Sequence, residues 1–327
     1  MSTHEANVVP VVLEPHSNAD SLSIVMVGEF QLVVRRDDWV GKDKGIFIPP
    51  DAIVDVSREE FRFLDRGRPF ERIKCIKLRG EYSTGLLIHA PEDSQIGDDY
   101  FDKLGLSWWD SESELAKTGG LCVKGPSLVY DVNKYDIENG KQSKYKNLFT
   151  VGETVYVSEK CHGCFAAFLY DGVKFHVKSR GEWKAEDTTN LFWRAFRSNK
   201  AIEEFCVANP NYLICGEVVG QVQRGFNYGC KPGEVSFVAF DIRTPVGQYL
   251  SPADFIAMAD SYGVPRVPNL GFMPFDFDSI AKLAEGQSKM GSHVIEGCVI
   301  KPISERRDAR LGRVFIKIVG NGYLCAK

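Results

Sequence analysis

Along the first ninety residues the apolar positions come in short β-branched runs, at 8–13, 22–27, 30–34 and 46–48, separated by Gly, Asn and Asp. Runs of this length with frequent breakers predict a meander of strands rather than helices. The run Ile73-Lys-Cys-Ile-Lys-Leu78 and, past Arg79-Gly80, the run 84–88 add one or two more strands. Residues 91–147 lose this patterning. They are polar and acidic around Trp108-Trp109 and end in a basic stretch at Lys141 to Lys146, which predicts a long connection between domains. From Thr154 the texture changes. A strand is expected over 154–158, and Phe165 to Tyr170 with Val173 to Val177 reads as a hairpin around an Asp171-Gly172 turn. Leu191, Phe192, Ala195, Phe196, Ile202, Phe205 and Cys206 fall near helical spacing and predict a helix. Strands over 212–219 and 235–240 follow. Ser251-Pro-Ala-Asp254 then opens a second helix, with a hydroxyl cap and a proline in the first turn. A third helix over 279–285 and strands over 294–300 and 314–319 complete the pattern.

Five short strands suit an OB-type barrel. The expected class is therefore α+β, with an OB-type barrel over 1–90, an acidic connection over 91–147 and a mixed α+β domain over 148–327. A length of 327 residues accommodates two such cores. The net charge of −4 means that any nucleic-acid partner needs a local basic surface. The stretch from Arg58 to Arg79, with eight basic against four acidic side chains, is the candidate groove, and Arg58, Arg62, Arg66, Arg68 and Arg72 are its candidate contacts. The longest apolar run, Cys164 to Tyr170, has seven residues, far short of the roughly 20 that span a bilayer. No membrane partner is expected. Nine cysteines at irregular spacing and an N-terminus without signal-peptide character read as reduced thiols and a cytoplasmic location.

Ser158-Glu-Lys-Cys-His-Gly-Cys164 lies between a strand and a hairpin, so Lys160 sits at a strand end with Gly163 permitting a tight turn. A lysine becomes nucleophilic when desolvated or set beside other cations. Taken alone, Lys-x-x-Gly describes many exposed lysines before turns. Cys161-His-Gly-Cys164 also fits C-x-x-C, but strand follows it rather than a helix, and no second C-x-x-C completes a zinc site. Half-buried structural thiols are the plainer reading. Further along stand Lys178-Ser-Arg-Gly181, Gly216-Glu-Val-Val219, Phe237-Val-Ala-Phe-Asp241, Glu296-Gly-Cys-Val-Ile-Lys301 and Phe315-Ile-Lys317, each an ordinary strand end by itself.

In this order, Lys160-x-x-Gly163, Glu217, the strand Phe237 to Asp241, Glu296-Gly-x-Val-x-Lys301 and Lys317 resemble the motifs of the covalent nucleotidyltransferases. His162 after the lysine is similar to the RNA ligase version. Glu14-Pro-His-Ser-Asn-Ala-Asp20 and Leu78-Arg-Gly-Glu-Tyr-Ser-Thr-Gly-Leu-Leu87 resemble the N-terminal OB module of a nick-sealing group of RNA ligases. With ten residues after Lys317, the expected group is one without a C-terminal domain.

The resemblance implies an ATP-dependent RNA ligase with Mg²⁺ or Mn²⁺. The α+β domain would be an adenylyltransferase that joins 3′-OH and 5′-phosphate ends through lysyl-AMP and RNA-adenylate. Its partners would be nicked or broken RNA, including RNA/DNA hybrid duplex, and it would act as a monomer. It implies Lys160 as nucleophile, Lys301 and Lys317 as cations at the α-phosphate, and Arg180 at the ribose or a phosphate. Glu217 would bind the ribose or a metal-bound water, and Glu296 would hold the hydrated metal ion. Glu159, His162, Gly163 and one of Phe237 or Phe240 would line the nucleotide, with Phe240 the expected stacking ring. Two positions depart from the family. Phe165 stands where Asn is frequent, and Lys317 is followed by Ile318-Val319 where the family often has Lys-x-Lys, so that Lys301 would have to supply a second cation. The alternatives are a capping-type guanylyltransferase, a non-catalytic RNA-binding protein and a thiol oxidoreductase built on Cys161 and Cys164.

Overall fold

The computed structural model describes residues 4–109, 120–128, 138–142, 145, 147–220, 222 and 225–326. The chain divides into two compact units. One comprises 1–111, 140–146 and 321–327; the other comprises 112–139 and 147–320.

In the first unit Val8–Pro10, Lys44–Ile48 and Leu86–His89 form one antiparallel sheet. Glu14–Pro15, Leu22–Val27 and Phe30–Arg35 form another, and Cys75–Leu78 pairs with Glu81–Thr84 as a hairpin. Alternation sends Phe30, Leu32 and Val34 inward against Val25, Phe47 and Leu87, as half-buried strands require. A third sheet, Ser107–Trp108, Ala52–Asp55 and Phe70–Arg72, escapes the sequence pattern because its strands are too short for periodicity to register. Leu104 and Leu106 pack in this unit's second core with Ile48, Val54 and Phe61. Residues 91–109 are thus part of the unit's own packing, and the rest of the acidic stretch lies largely outside the described residues.

The helix Asn321–Ala326 also belongs here, although the sequence division placed 321–327 in the second domain. Asn321 Oδ1 accepts from Lys141 Nζ at 3.0 Å and from Thr84 Oγ1 at 3.2 Å. Six residues are too few for a periodic signal, so it is their tertiary partners that reveal where they dock.

The second unit is built on two sheets. The six-stranded one runs Cys122–Val123, Trp183–Lys184, Phe175–Ser179, Cys164–Tyr170, Leu213–Gly220, Val235–Arg243, with every pair antiparallel. The five-stranded one runs Glu138–Asn139, Ile316–Val319, Gly297–Pro302, Thr154–Lys160, Asn269–Pro274. The expected single helix after Asn190 is two, Leu191–Phe196 and Lys200–Ala208. Asn199 Oδ1 accepts from Ala201 N at 2.9 Å, and this side-chain cap starts a new helix where the apolar spacing alone suggested continuity. The hairpin turn is longer than two residues: Asp171 Oδ1 accepts from the backbone N–H groups of Val173 and Lys174.

Cys164, Ala166 and Phe168 face a core shared with helices Leu191–Phe196, Lys200–Ala208 and Pro252–Tyr262. Phe165, Ala167 and Leu169 face the other way, against Val299 and Phe315 of the five-stranded sheet. The layers are helix, sheet, sheet, and the facing surfaces of the two sheets carry the chemistry.

Candidate active site

Lys160 is the last residue of Thr154–Lys160 and registers with Gly297. Val299, two residues on, lies in the intersheet core and registers with Lys317. Strand alternation therefore puts Lys160 and Lys317 on the wall facing the second sheet. On that second wall Glu217 registers with Phe165, and Lys178 with Ala167. Arg180, two residues past Lys178, extends the same row.

Lys160 Nζ donates to Glu296 Oε1 at 2.7 Å, with side chains 22% and 9% exposed. The amine is thus held where solvent is scarce but a ligand has access. Burial, the nearby Lys160 and Arg180 together lower Lys317 to about 8, with Glu296 and Glu138 opposing. That coupling draws Lys160, Glu296, Lys317 and Arg180 into one electrostatic cluster. Glu217 joins it through Cys161, whose thiol is pushed up by burial and then by Glu159, Glu217 and Glu296.

Two glycines let the backbones close in. A Cβ on Gly163 would sit 2.0 Å from Val218 O and 2.9 Å from Glu217 Cγ, so only glycine lets this turn lie against the glutamate's strand. A Cβ on Gly297 would sit 2.1 Å from Ile318 O, beside Lys317. The backbone N–H of His162 donates to Tyr228 Oη at 2.5 Å, and the His162 ring lies 5.2 Å from that of Phe226. Tyr228 takes a left-handed φ of 50°, a costly conformation for an aromatic residue.

Not every sequence-predicted residue is brought here. Glu159 registers with Cys298, on the opposite face from Lys160, and its carboxylate accepts from Ser288 Oγ at 2.6 Å and Lys289 N at 3.0 Å. Lys301 registers with Tyr156, four residues before Lys160, or about 13 Å along the strand. Its Nζ donates to Asp241 Oδ1 at 2.8 Å and Phe240 O at 2.7 Å. It bridges the sheets there with Arg313, which donates to both Asp241 oxygens. Phe237 is fully buried on the helix side, so alternation removes it as a stacking ring. Phe240, at the register shift opposite Cys215-Gly216, packs on the intersheet side near Phe165, ring centroids 6.1 Å apart. In the first unit Arg62, Arg66 and Arg68 are exposed. Arg58 donates to Glu60 and to Lys103 O, whereas Arg72 pairs with Asp51 and lies 3.4 Å over the Trp109 ring.

Lys178 and Tyr228 join the site beyond the residues that the sequence motifs point to. Lys178 was legible, since alternation sets it on the face of Arg180. Tyr228 was not, because nothing local marks a loop tyrosine that supports a turn 66 residues away.

The arrangement offers an amine nucleophile, a carboxylate holding its ammonium, clustered cations and a second carboxylate, which suits attack on a phosphorus atom. Among the described residues no group of three or more His, Cys, Asp or Glu forms a metal cage. Glu296 Oε2 is buried with no hydrogen-bond partner. One or two carboxylates with water fit a hydrated Mg²⁺, and Glu296 Oε2 is the acceptor left to meet it.

A family model described as RNA ligase matches residues 153–319, just over half of the chain. The chain belongs to the RNA ligase family. An OB-fold domain model matches residues 7–90, so the first unit is the ligase's N-terminal OB module. Comparison with curated proteins gives no match. Among solved structures, a lysine-to-alanine variant of the Naegleria gruberi RNA ligase with ATP and Mn is 22% identical, with 98% of each chain covered and a TM-score of 0.78. The same organism's RNA ligase with PPi is 23% identical, covers 99% of this chain and 98% of its own, and also has a TM-score of 0.78. At this identity the likeness establishes the fold. The matched span, 153–319, contains Lys160, Glu217, Glu296 and Lys317. No helix among the described residues is long and apolar enough to cross a membrane.

Proposed function

We propose that this RNA ligase is ATP-dependent and seals 3′-OH and 5′-phosphate ends, with nicks in duplex carrying RNA on the 3′-OH side as its preferred substrate. The observation that carries the reading is the 2.7 Å contact between Lys160 Nζ and Glu296 Oε1, beside Lys317 and Arg180. The similarity to a ligase bound to ATP and Mn supports the choice of nucleotide and metal.

In the first step the Lys160 amine forms a bond to the α-phosphorus of ATP, the bond to the bridging oxygen breaks, and pyrophosphate leaves. Glu296 Oε1, which accepts from Nζ at 2.7 Å, holds the ammonium in place and takes the proton that Nζ loses before attack, and its Oε2, with Glu217, would hold Mg²⁺ or Mn²⁺. A bound divalent ion neutralises phosphate charge. Lys317 and Arg180 supply fixed positive charge to the α-phosphate, the electrostatic term that dominates phosphoryl transfer. Arg180 thereby takes the place of the second cation that Lys301, committed to Asp241, does not supply. His162 and Gly163 shape the turn beside the nucleotide, Phe240 offers an aromatic face, and Glu159 braces the strand from behind. AMP then passes to the RNA 5′-phosphate, and a 3′-OH displaces it. Arg62, Arg66 and Arg68 are the free-standing cations for RNA on the OB module. The enzyme would act as a monomer in a reducing, cytoplasmic setting.

Incubation with α-labelled ATP and Mg²⁺, without RNA, should leave label on the denatured protein. Lys160→Ala should abolish it and labelled GTP should not replace ATP. Label from GTP would indicate guanylyl transfer. No label from folded, AMP-free protein would overturn the reading.

A further inference from the structure

We propose that Cys75 and Cys325 form an oxidisable dithiol, a disulfide site that fastens the terminal helix to the OB module. Cys75 lies buried on the strand Cys75–Leu78, and Cys325 is exposed on the helix Asn321–Ala326. They are 250 residues apart in sequence, yet the Cys325 thiol donates to Cys75 Sγ at 3.0 Å. Closing that to a sulfur–sulfur bond of about 2.05 Å asks for roughly 1 Å of movement, within the reach of small side-chain rotations. The neighbourhood already holds both partners in place. Thr84 Oγ1 lies 3.3 Å from Cys75 Sγ and 3.2 Å from Asn321 Oδ1, which ties the strand, the hairpin and the helix start together.

The two sulfurs differ in the way a stepwise oxidation needs. Cys325 meets solvent and takes the oxidant first. Cys75 is pushed up to about 12, chiefly by burial and then by its bond to Cys325, so it resists attack from solution and answers only the sulfur beside it. With a peroxide, the Cys325 sulfur attacks the O–O bond to give a sulfenic acid and one water. Cys75 then attacks that sulfur, the S–O bond breaks and a second water leaves. The sum is two thiols and one H₂O₂ giving one disulfide and two waters. With glutathione disulfide the same bond forms by two exchanges, releasing two glutathione thiols.

The C-x-x-C pair makes a useful contrast. Cys161 and Cys164 are each 4% exposed, and the thiol of Cys161 is driven well up by burial and three carboxylates. Proximity in sequence gives them no access to an oxidant, whereas Cys325 has access without any sequence motif.

The test starts from the reduced full-length protein, exposed to H₂O₂ in one arm and glutathione disulfide in the other, then denatured and alkylated. The expected result is a monomer lighter by two hydrogens, a non-reducing peptide map linking the Cys75 and Cys325 peptides, and a thermal midpoint raised by about 5 °C or more. Cys75→Ser should leave Cys325 trapped as a glutathione adduct, and Cys325→Ser should leave Cys75 alkylated only after denaturation. Recovery of wild-type Cys325 as an adduct or sulfinic acid with Cys75 free, in both arms, would overturn the proposal.

Discussion

A lysine amine attacks phosphorus only in its unprotonated form, so with Lys160 as the proposed nucleophile the groups around its Nζ would govern the rate of the first step. Tyr228 reaches that amine indirectly, by holding the His162 N–H two residues along. Tyr228→Phe keeps the ring and removes the acceptor. Lysyl-AMP formation at saturating ATP should slow about 10-fold, with the KM for ATP nearly unchanged. Joining of pre-adenylated RNA, which does not use the amine as nucleophile, should change far less; equal losses in both would mean a general structural defect. Lys317→Ala should cut lysyl-AMP formation by about 10² to 10³, with single-turnover labelling as the readout. Asp241 gives a pH test. Burial alone would raise its carboxyl, but Arg313 and Lys301 outweigh it and hold the group well below the usual carboxylate range. A depressed carboxyl stabilises the fold at every pH above its unfolded value of 3.8 and loses that contribution as the pH falls towards the folded one. Asp241→Asn, which leaves the buried Lys301 without its carboxylate and takes from Arg313 one of its two carboxylate partners, the other being Glu305, should cost about 3–5 kcal/mol at pH 7. In urea titrations at falling pH, the gap to wild type should narrow below about pH 4.

Among the elements, the turn between Thr154–Lys160 and Cys164–Tyr170 is the most constrained. Gly163→Ala would force its Cβ into Val218 O, and because that obstacle is backbone, the strand carrying Glu217 must shift. Loss of lysyl-AMP formation with a lowered melting temperature is the expected outcome, and full activity would show that the turn has slack. Strand alternation is also what made most of this site readable beforehand. It sets Lys160, Lys317, Glu217 and Arg180 on facing surfaces, and it separates Phe237 from Phe240. What alternation leaves open is the position along the strand and the identity of the partner. Lys301 has the right face and the wrong neighbour, since Asp241 claims it. Glu159 follows from the same rule, one residue from Lys160 and therefore behind the wall. Tyr228 and the terminal helix depend on contacts between residues distant in sequence, which no local pattern encodes. The helix break at Asn199 was locally encoded, by an asparagine cap that apolar spacing overrode.

For the whole molecule, the division into two units does not follow the order of the chain. The OB module draws on three separate stretches, and residues 140–146 and 321–327 complete it. Deleting 321–327 should therefore lower the stability of the OB module, through loss of the Asn321 bonds to Lys141 and Thr84. Hydrogen exchange should report the change first in Cys75–Leu78 and Glu81–Thr84, with Thr154–Lys160 protected as before. Loss of protection across 147–320 instead would show that the helix serves the catalytic unit. The same layout bears on biosynthesis. When Leu86–His89 leaves the ribosome, about 230 residues remain to be made before Asn321 appears. At roughly 5–20 residues per second, that is a wait of about 10 to 50 s. Of these two units the one begun earlier is completed later, and through that interval its strands lack the Asn321 bonds to Lys141 and Thr84.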